Sequence, residues 1–171
     1  MAWLRWANDH WHRLCRLSWG ERALVVKAAV VLPLAILAPR VLGFRRCQSL
    51  LGRMAKIDRI ISRTFQRWTS REATNEDKFA RAARTAVIVG ATAAHGLPHS
   101  TCLQRSLTLW CLVRGQGIDC NLRVGIHKAS GQLGAHAWVE YLGLVLNDRD
   151  DVHRRYRAFA RALVPKGATA Q

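Results

Sequence analysis

The sequence predicts an α+β fold, and three observations carry that expectation. Helical spacing of apolar residues dominates the chain as far as Gly115. Strict two-residue alternation takes over from Ile118 to His127, and turn signals at Ala129-Ser130-Gly131 and at Gly143 cut the C-terminal part of the chain into short strands. A chain of 171 residues has room for one domain with a sizeable core and an appended helical segment, not for two full-sized domains.

In chain order, Trp3, Trp6, Trp11, Leu14 and Leu17 share one side of a helix while Arg5, Arg13 and Arg16 occupy the rest, a basic amphipathic pattern. Such a face suits a membrane surface or a partner protein, and it equally suits packing on the domain. Ser18, with Glu21 three residues on, reads as an N-cap, and the apolar helix behind it is expected to run to a break at Pro39-Arg40. Its most apolar run, Ala28 to Ala38, is 11 residues long, short of the roughly 18 to 20 that span a bilayer. It also begins too far in, behind too many charges, for a cleavable signal peptide. A buried or interfacial helix is expected.

A second helix is read from Phe44 to Trp68 on the stripe Cys47, Leu51, Met54, Ile57, Ile61 and Phe65. Its other faces carry Arg45, Arg46, Arg53, Lys56, Arg59, Arg63 and Arg67, a solvated face or a polyanion site. After the polar connection Thr69 to Asn75, a third helix runs from about Glu76 to His95, with Phe79, Ala83, Ala86 or Val87, Gly90 and Ala94 inward. Ser100 or Thr101 opens a fourth on Leu103, Leu107, Trp110 and Cys111, ending near Gly115-Gln116-Gly117. In the first strand Ile118, Cys120, Leu122, Val124 and Ile126 point inward. A second strand starts near Ala135, and Leu144-Val145-Leu146-Asn147 forms a third. A short helix with Val152, Tyr156, Phe159 and Leu163 and a tail from Pro165 close the chain. The expected organisation is a basic helical region over 1–72, an α+β unit over 73–164 and a flexible tail over 165–171.

Charge and cysteine usage narrow the function classes. The chain holds 27 Lys+Arg against 11 Asp+Glu, a formal +16, and 14 of those basic but only 3 of the acidic side chains lie in the first 71 residues. Such a chain is drawn to polyanions, anionic lipid or acidic partner faces. No nucleic-acid reader motif accompanies the charge and the aromatic residues cluster near the N-terminus, so nucleic acid is not an expected partner. Cys15, Cys47, Cys102, Cys111 and Cys120 are odd in number and form no CxxC pair. Neither a disulfide framework nor a structural zinc site is suggested, and a reducing cytoplasm fits. There is no Walker-type loop, so no ATP chemistry is assigned. No cofactor or metal ion is expected.

The stretch GAHAWVE, Gly134 to Glu140, places an imidazole in a strand. If Tyr141-Leu142-Gly143 is a three-residue loop, residues whose numbers sum to 284 are paired, and His136 faces Asp148. Directly opposed β carbons are roughly 4.5 to 5.5 Å apart, close enough for a carboxylate to accept a hydrogen bond from the ring. Glu140 is a rival acid but stands two pleats from His136 along the same strand. Cys102 supplies a third member: it lies in the first turn of its helix, where the N-terminal partial positive charge favours an anion, and Thr101 with Gln104 fits a capping box. Cys111, Cys120 and Cys47 lie on inward stripes and read as core. For Cys102 a buried thiol is the competing reading. His95, His99, His127 and His153 read as ordinary surface histidines, and Asp150 and Asp151 as helix-start residues.

The run CLQRSLTLWCLVRGQGIDCNLRVGIHKASGQLGAHAWVEYLGLVLND, Cys102 to Asp148, resembles the transglutaminase-like cysteine peptidase domain of lasso peptide biosynthesis, the B protein or leader peptidase. The order Cys, His, Asp, the LVRGQGI step and the AHAWVE strand carry the resemblance over about fifty residues, and the helical lead-in from PLAILAPRVLGFRR matches more loosely. It implies a papain- or transglutaminase-like core, a catalytic helix on a small antiparallel sheet, with Cys102 as nucleophile, His136 as base and acid, and Asp148 orienting the histidine. It implies removal of the leader from a ribosomally made precursor peptide, after which an ATP-dependent lasso cyclase joins the freed amine to a side-chain carboxylate. The first hundred residues show no strand signal and hence no winged-helix leader-capturing domain, so a separate leader-binding protein is implied. Two other readings stand: acyl or amide transfer with the same triad, and a basic binding protein with an inactive triad.

Overall fold

The computed structural model describes residues 18–66, 73–96, 99–129 and 132–159. The pattern from Trp3 to Leu17 with Cys15, Trp68, Leu163 and the tail from Pro165 lie outside them. Four helices, α1 (Trp19–Leu42), α2 (Phe44–Gln66), α3 (Asn75–Gly96) and α4 (Cys102–Gly115), precede β1 (Asn121–Ala129), β2 (Gln132–Tyr141) and β3 (Leu144–Val145). A single turn, α5 (Val152–Arg155), and β4 (Arg157–Ala158) close the described chain. The strands form one antiparallel sheet in the order β3-β2-β1-β4, and α4 packs on β1 and β2 as well as on α1, α2 and α3. The fold is α+β, as the switch of periodicity at residue 118 requires.

Helix starts follow the local rules. Ser18 Oγ accepts the Glu21 N–H at 3.3 Å while the Glu21 carboxylate accepts the Ser18 N–H at 2.8 Å, so two otherwise unpaired donors are satisfied. Thr74 with Asp77 repeats the exchange at α3, and Thr101 with Gln104 at α4. The stop is less local. Pro33 and Pro39 lie inside α1, which continues past the expected break to Leu42 and ends at Gly43, φ 76°. Each proline lacks the N–H for one intrahelical bond, and the helix runs through both with Ala28, Val31, Leu32, Ala35 and Ala38 buried in the core.

Two helix faces differ from expectation. In α2 the buried ridge is Cys47, Leu51 and Ala55, and three residues further on Asp58 is paired to Lys27 Nζ. Ile57 lies off the ridge and is exposed. In α3 the buried face is Ala82, Thr85, Ile88, Val89 and Ala93, rotated about one residue from the expected Ala83, Gly90 and Ala94, and Val87 is exposed. Helix α4 is buried on every side from Ser106 to Val113, because it has neighbours all round.

The sheet carries three corrections. Strand β1 begins at Asn121, so Ile118 and Cys120 are buried ahead of the ladder, not in it. The β2–β3 connection has two residues, Leu142 (φ 50°) and Gly143 (φ 84°), with Tyr141 paired to Leu144 and Glu140 to Val145. The register therefore sums to 285, one residue from expectation. The closing helix is one turn, and the chain then turns extended: Arg157 pairs with Ile126, Ala158 with Gly125, and Phe159 N–H donates to Val124 O at 2.9 Å. The edge of β1 left open by β2 needs a partner for its backbone groups, and the C-terminal segment supplies it.

Candidate active site

His136 and Asp148 are in direct contact: His136 Nε2 bonds Asp148 Oδ2. The expected route to this contact was a regular ladder, and the structure reaches it differently. Strand β3 ends at Val145. Leu146 N–H still donates to Val139 O at 2.9 Å, but opposite Val139 N–H it is the Asn147 side chain that accepts, at 2.8 Å. An amide thus stands in for a strand carbonyl, the backbone leaves the sheet, and Asp148 swings onto the ring one residue out of ladder register.

Asp148 is held by more than the histidine. The Arg149 N–H donates to Oδ1 at 2.7 Å and Arg155 Nη2 to the same oxygen at 3.0 Å. Burial raises the carboxyl's pKa, and the hydrogen bonds from Arg149, His136 and Arg155 outweigh it, leaving the group below its ordinary value. Asp148 is thus an anion, and with Nε2 engaged, Nδ1 is the ring nitrogen left for chemistry.

The ring is clamped from its faces. Tyr156 stacks on His136 with centroids 4.9 Å apart, and Trp138, two residues along the strand, lies nearly parallel at 6.3 Å. Gly125 is the cross-strand partner of His136, and a β carbon there would come within 2.9 Å of the Trp138 ring and 3.0 Å of Tyr156 Cβ. The absent side chain is what lets both rings reach the histidine.

Cys102 is the first residue of α4 and is partly exposed, whereas Cys47, Cys111 and Cys120 are buried. No hydrogen bond joins its thiol to His136 or Asp148 among the described residues. Its helix is nevertheless tied to theirs. One turn on, about 6 Å along the axis, Ser106 Oγ donates to Ala137 O at 2.9 Å and accepts from Asn147 Nδ2 at 2.8 Å. A buried hydroxyl thus links the Cys102 helix to the residue after His136 and the residue before Asp148. The capping box occupies the Gln104 N–H, and the Arg105 N–H bonds Thr101 O. The N–H groups of Cys102 and Leu103 have no acceptor within the helix.

The rival groups are otherwise engaged. Glu140 is buried and accepts from Trp138 Nε1 at 2.7 Å and Arg123 Nε at 3.0 Å, so it is not the acid of His136. His95, His99 and His127 are exposed. His153, also exposed, sets its ring edge-on against Trp138 and stands 3.6 Å from Glu140. Asp151 precedes α5 without a side-chain cap bond and accepts from Arg155 Nε at 3.1 Å. Among the described residues no three His, Cys, Asp or Glu side chains converge to hold a metal ion. Sequence reasoning missed Ser106, Asn147, Arg155 and Tyr156, whose roles depend on contacts far apart in the chain. Gly125 carried a signal: a glycine inside an alternating strand marks a close approach.

No curated protein and no solved structure matches the chain. A family model described as the transglutaminase-like superfamily matches residues 40–161, a span that begins within α1 and takes in α4, the whole sheet and the His136–Asp148 contact. By that match, which covers well over half of its length, the chain belongs to the transglutaminase-like superfamily.

Proposed function

We propose that the protein is a cysteine peptidase that removes the leader from a ribosomally made lasso-peptide precursor, with Cys102, His136 and Asp148 as its catalytic residues. The observation that carries this reading is His136, hydrogen-bonded to Asp148 and flanked by aromatic rings, on the strand tied to the helix that Cys102 opens. Superfamily membership is compatible with it, and the Cys102–Asp148 run resembles the leader peptidases.

In this reading His136 Nδ1 takes the thiol proton, and Cys102 Sγ attacks the scissile carbonyl. The N–H groups of Cys102 and Leu103 donate to the oxyanion. Asp148, on Nε2, fixes the tautomer and balances the imidazolium. His136 then protonates the departing amine, which leaves as the N-terminus of the core peptide, and water releases the leader from the thioester. The chain works in a reducing cytoplasm, supported by its free thiols, beside a separate leader-binding protein and a cyclase.

The test is cleavage of a candidate precursor, with and without its leader-binding protein, read by mass spectrometry. Wild type releases intact leader and core, and Cys102→Ala loses about a thousandfold or more of the rate. A leader bearing an added amine would replace hydrolysis by acyl transfer, and cleavage undiminished in Cys102→Ala would remove the thiol from the mechanism.

A further inference from the structure

Helix α1 has two unlike sides. Ala28, Val31, Leu32, Ala35 and Ala38 are buried in the core, whereas Trp19, Val26, Val30, Leu37 and Val41 are between 55 and 84 % exposed. The exposed set recurs at intervals of 7, 4, 7 and 4 residues, which at about 100° per residue falls within roughly 60° of arc. It is one apolar stripe about 33 Å long on the solvent side, far more than scattered surface hydrophobes produce.

The charges of α1 are arranged around that stripe. Arg22 and Arg40 lie about 60° to one side of it, near its two ends, and Lys27 about 80° to the other. The helix's one acid, Glu21, is on the opposite side and pairs with Arg84. Arg22 also sits 5.3 Å over the Trp19 ring. Helix α2 shows the same interleaving: Leu50, Ile57 and Ile60 are exposed among exposed Arg46, Arg53 and Lys56. Its acid, Asp58, is bound to Lys27. Basic side chains thus outnumber acidic ones on both helices, which fits a negatively charged partner and opposes a second copy of a +16 chain.

Among the described residues α1 is the helix long and apolar enough to cross a bilayer. Its Ala28–Ala38 face, however, is locked into the core against α2, α3 and α4, so a crossing would drag charged helices into lipid. A helix apolar on one side, basic along its borders and anchored to a folded domain on the other lies in the plane of the interface. We propose that the exposed face of α1 docks on the surface of an anionic lipid bilayer, with the Trp19–Val41 stripe sunk among the acyl chains and Arg22 and Arg40 at the headgroups. The inference stands apart from the peptidase reading, since none of these residues belongs to the candidate active site.

The test is cosedimentation of the full chain with vesicles of phosphatidylcholine alone or containing about 30 mol % phosphatidylglycerol. The wild type is expected to bind the anionic vesicles at least about tenfold better. The Val30→Glu/Leu37→Glu double variant is expected to lose at least about tenfold of that binding, and Val87→Glu, an exposed apolar residue of α3, to keep it. Circular dichroism checks that each variant folds. Should the double variant melt early, quenching of wild type and Trp19→Phe by brominated lipid gives an independent reading, and the quench should be smaller without Trp19. Failure of the wild type to bind anionic vesicles overturns the proposal, as does binding unchanged in the double variant. A wild-type dimer in solution that the double variant dissociates, without vesicle binding, would instead assign the stripe to self-association.

Discussion

Desolvation penalises a thiolate, so burial pushes Cys111 and Cys120 up to about 12 and raises Cys47 as well. Cys102 alone of the described cysteines is partly exposed. Brief iodoacetamide treatment at about pH 8 should label Cys102 at least about tenfold faster than Cys111 or Cys120, with peptide mass mapping as the readout; equal labelling of all four would refute a privileged thiol. Asp148 gives a pH prediction of definite sign. Its folded pKa is depressed, so its contribution to stability is complete above the ordinary aspartate value, about 4. That contribution is lost as pH falls through the lowered one. The gap in melting temperature between wild type and Asp148→Asn should be widest near neutrality and close on acidification, and a gap independent of pH would contradict it. Gly125→Ala forces a methyl to 2.9 Å from Trp138 and 3.0 Å from Tyr156. It should cost about 1–3 kcal/mol in denaturant melts and loosen the ring clamp on His136, lowering cleavage more than the stability loss accounts for.

Between elements, the decisive device is the side-chain splice at Asn147. It accepts from Val139 N–H and donates to Ser106 Oγ, which donates to Ala137 O. Ser106→Ala leaves buried polar groups unpaired and should destabilise by about 1–3 kcal/mol. If the splice also sets the catalytic geometry, kcat on the precursor falls while KM holds, and an unchanged kcat would reduce it to a structural link. The caps at Ser18 and Thr101 were legible because capping is decided within four residues. The His136–Asp148 contact was legible as a pairing of types, though its register was not: Leu142 occupies positive φ, a position that favours asparagine or glycine, so nothing local announced a two-residue turn. Leu142→Asn should accordingly stabilise the hairpin by about 0.5–1 kcal/mol. The face of α3 was misread because alanine and glycine give little periodic contrast. Strand β4 was invisible because it forms only where the distant edge of β1 needs a partner.

For the molecule as a whole, the first two helices share one core with α4, the helix that Cys102 opens. Leu107, Trp110 and Cys111 of α4 share one core with Val31, Ala35, Cys47 and Leu51. Cys111 Sγ donates to Leu51 O at 3.4 Å, Arg59 Nε to Arg114 O at 3.2 Å, and Asp58 lies so close to Gly115 that a β carbon there would meet its carboxylate at 2.5 Å. The family match likewise begins at residue 40, before α2. Removing residues 1–72 would expose the α4 side chains that α1 and α2 cover, each worth roughly 1.5–3 kcal/mol of burial. A whole domain has only about 5–15 kcal/mol of stability, so losing a few such contacts is enough to unfold it. The fragment 73–164 should therefore give a broad, uncooperative thermal transition by circular dichroism and elute as aggregate, whereas the full chain melts cooperatively. The helix that carries Cys102 would lose its seat along with its cover, so cleavage should vanish in the fragment even where precursor and leader-binding protein are supplied. A fragment that melts cooperatively within a few degrees of the full chain would show that α1 and α2 are dispensable and that the α+β unit folds alone.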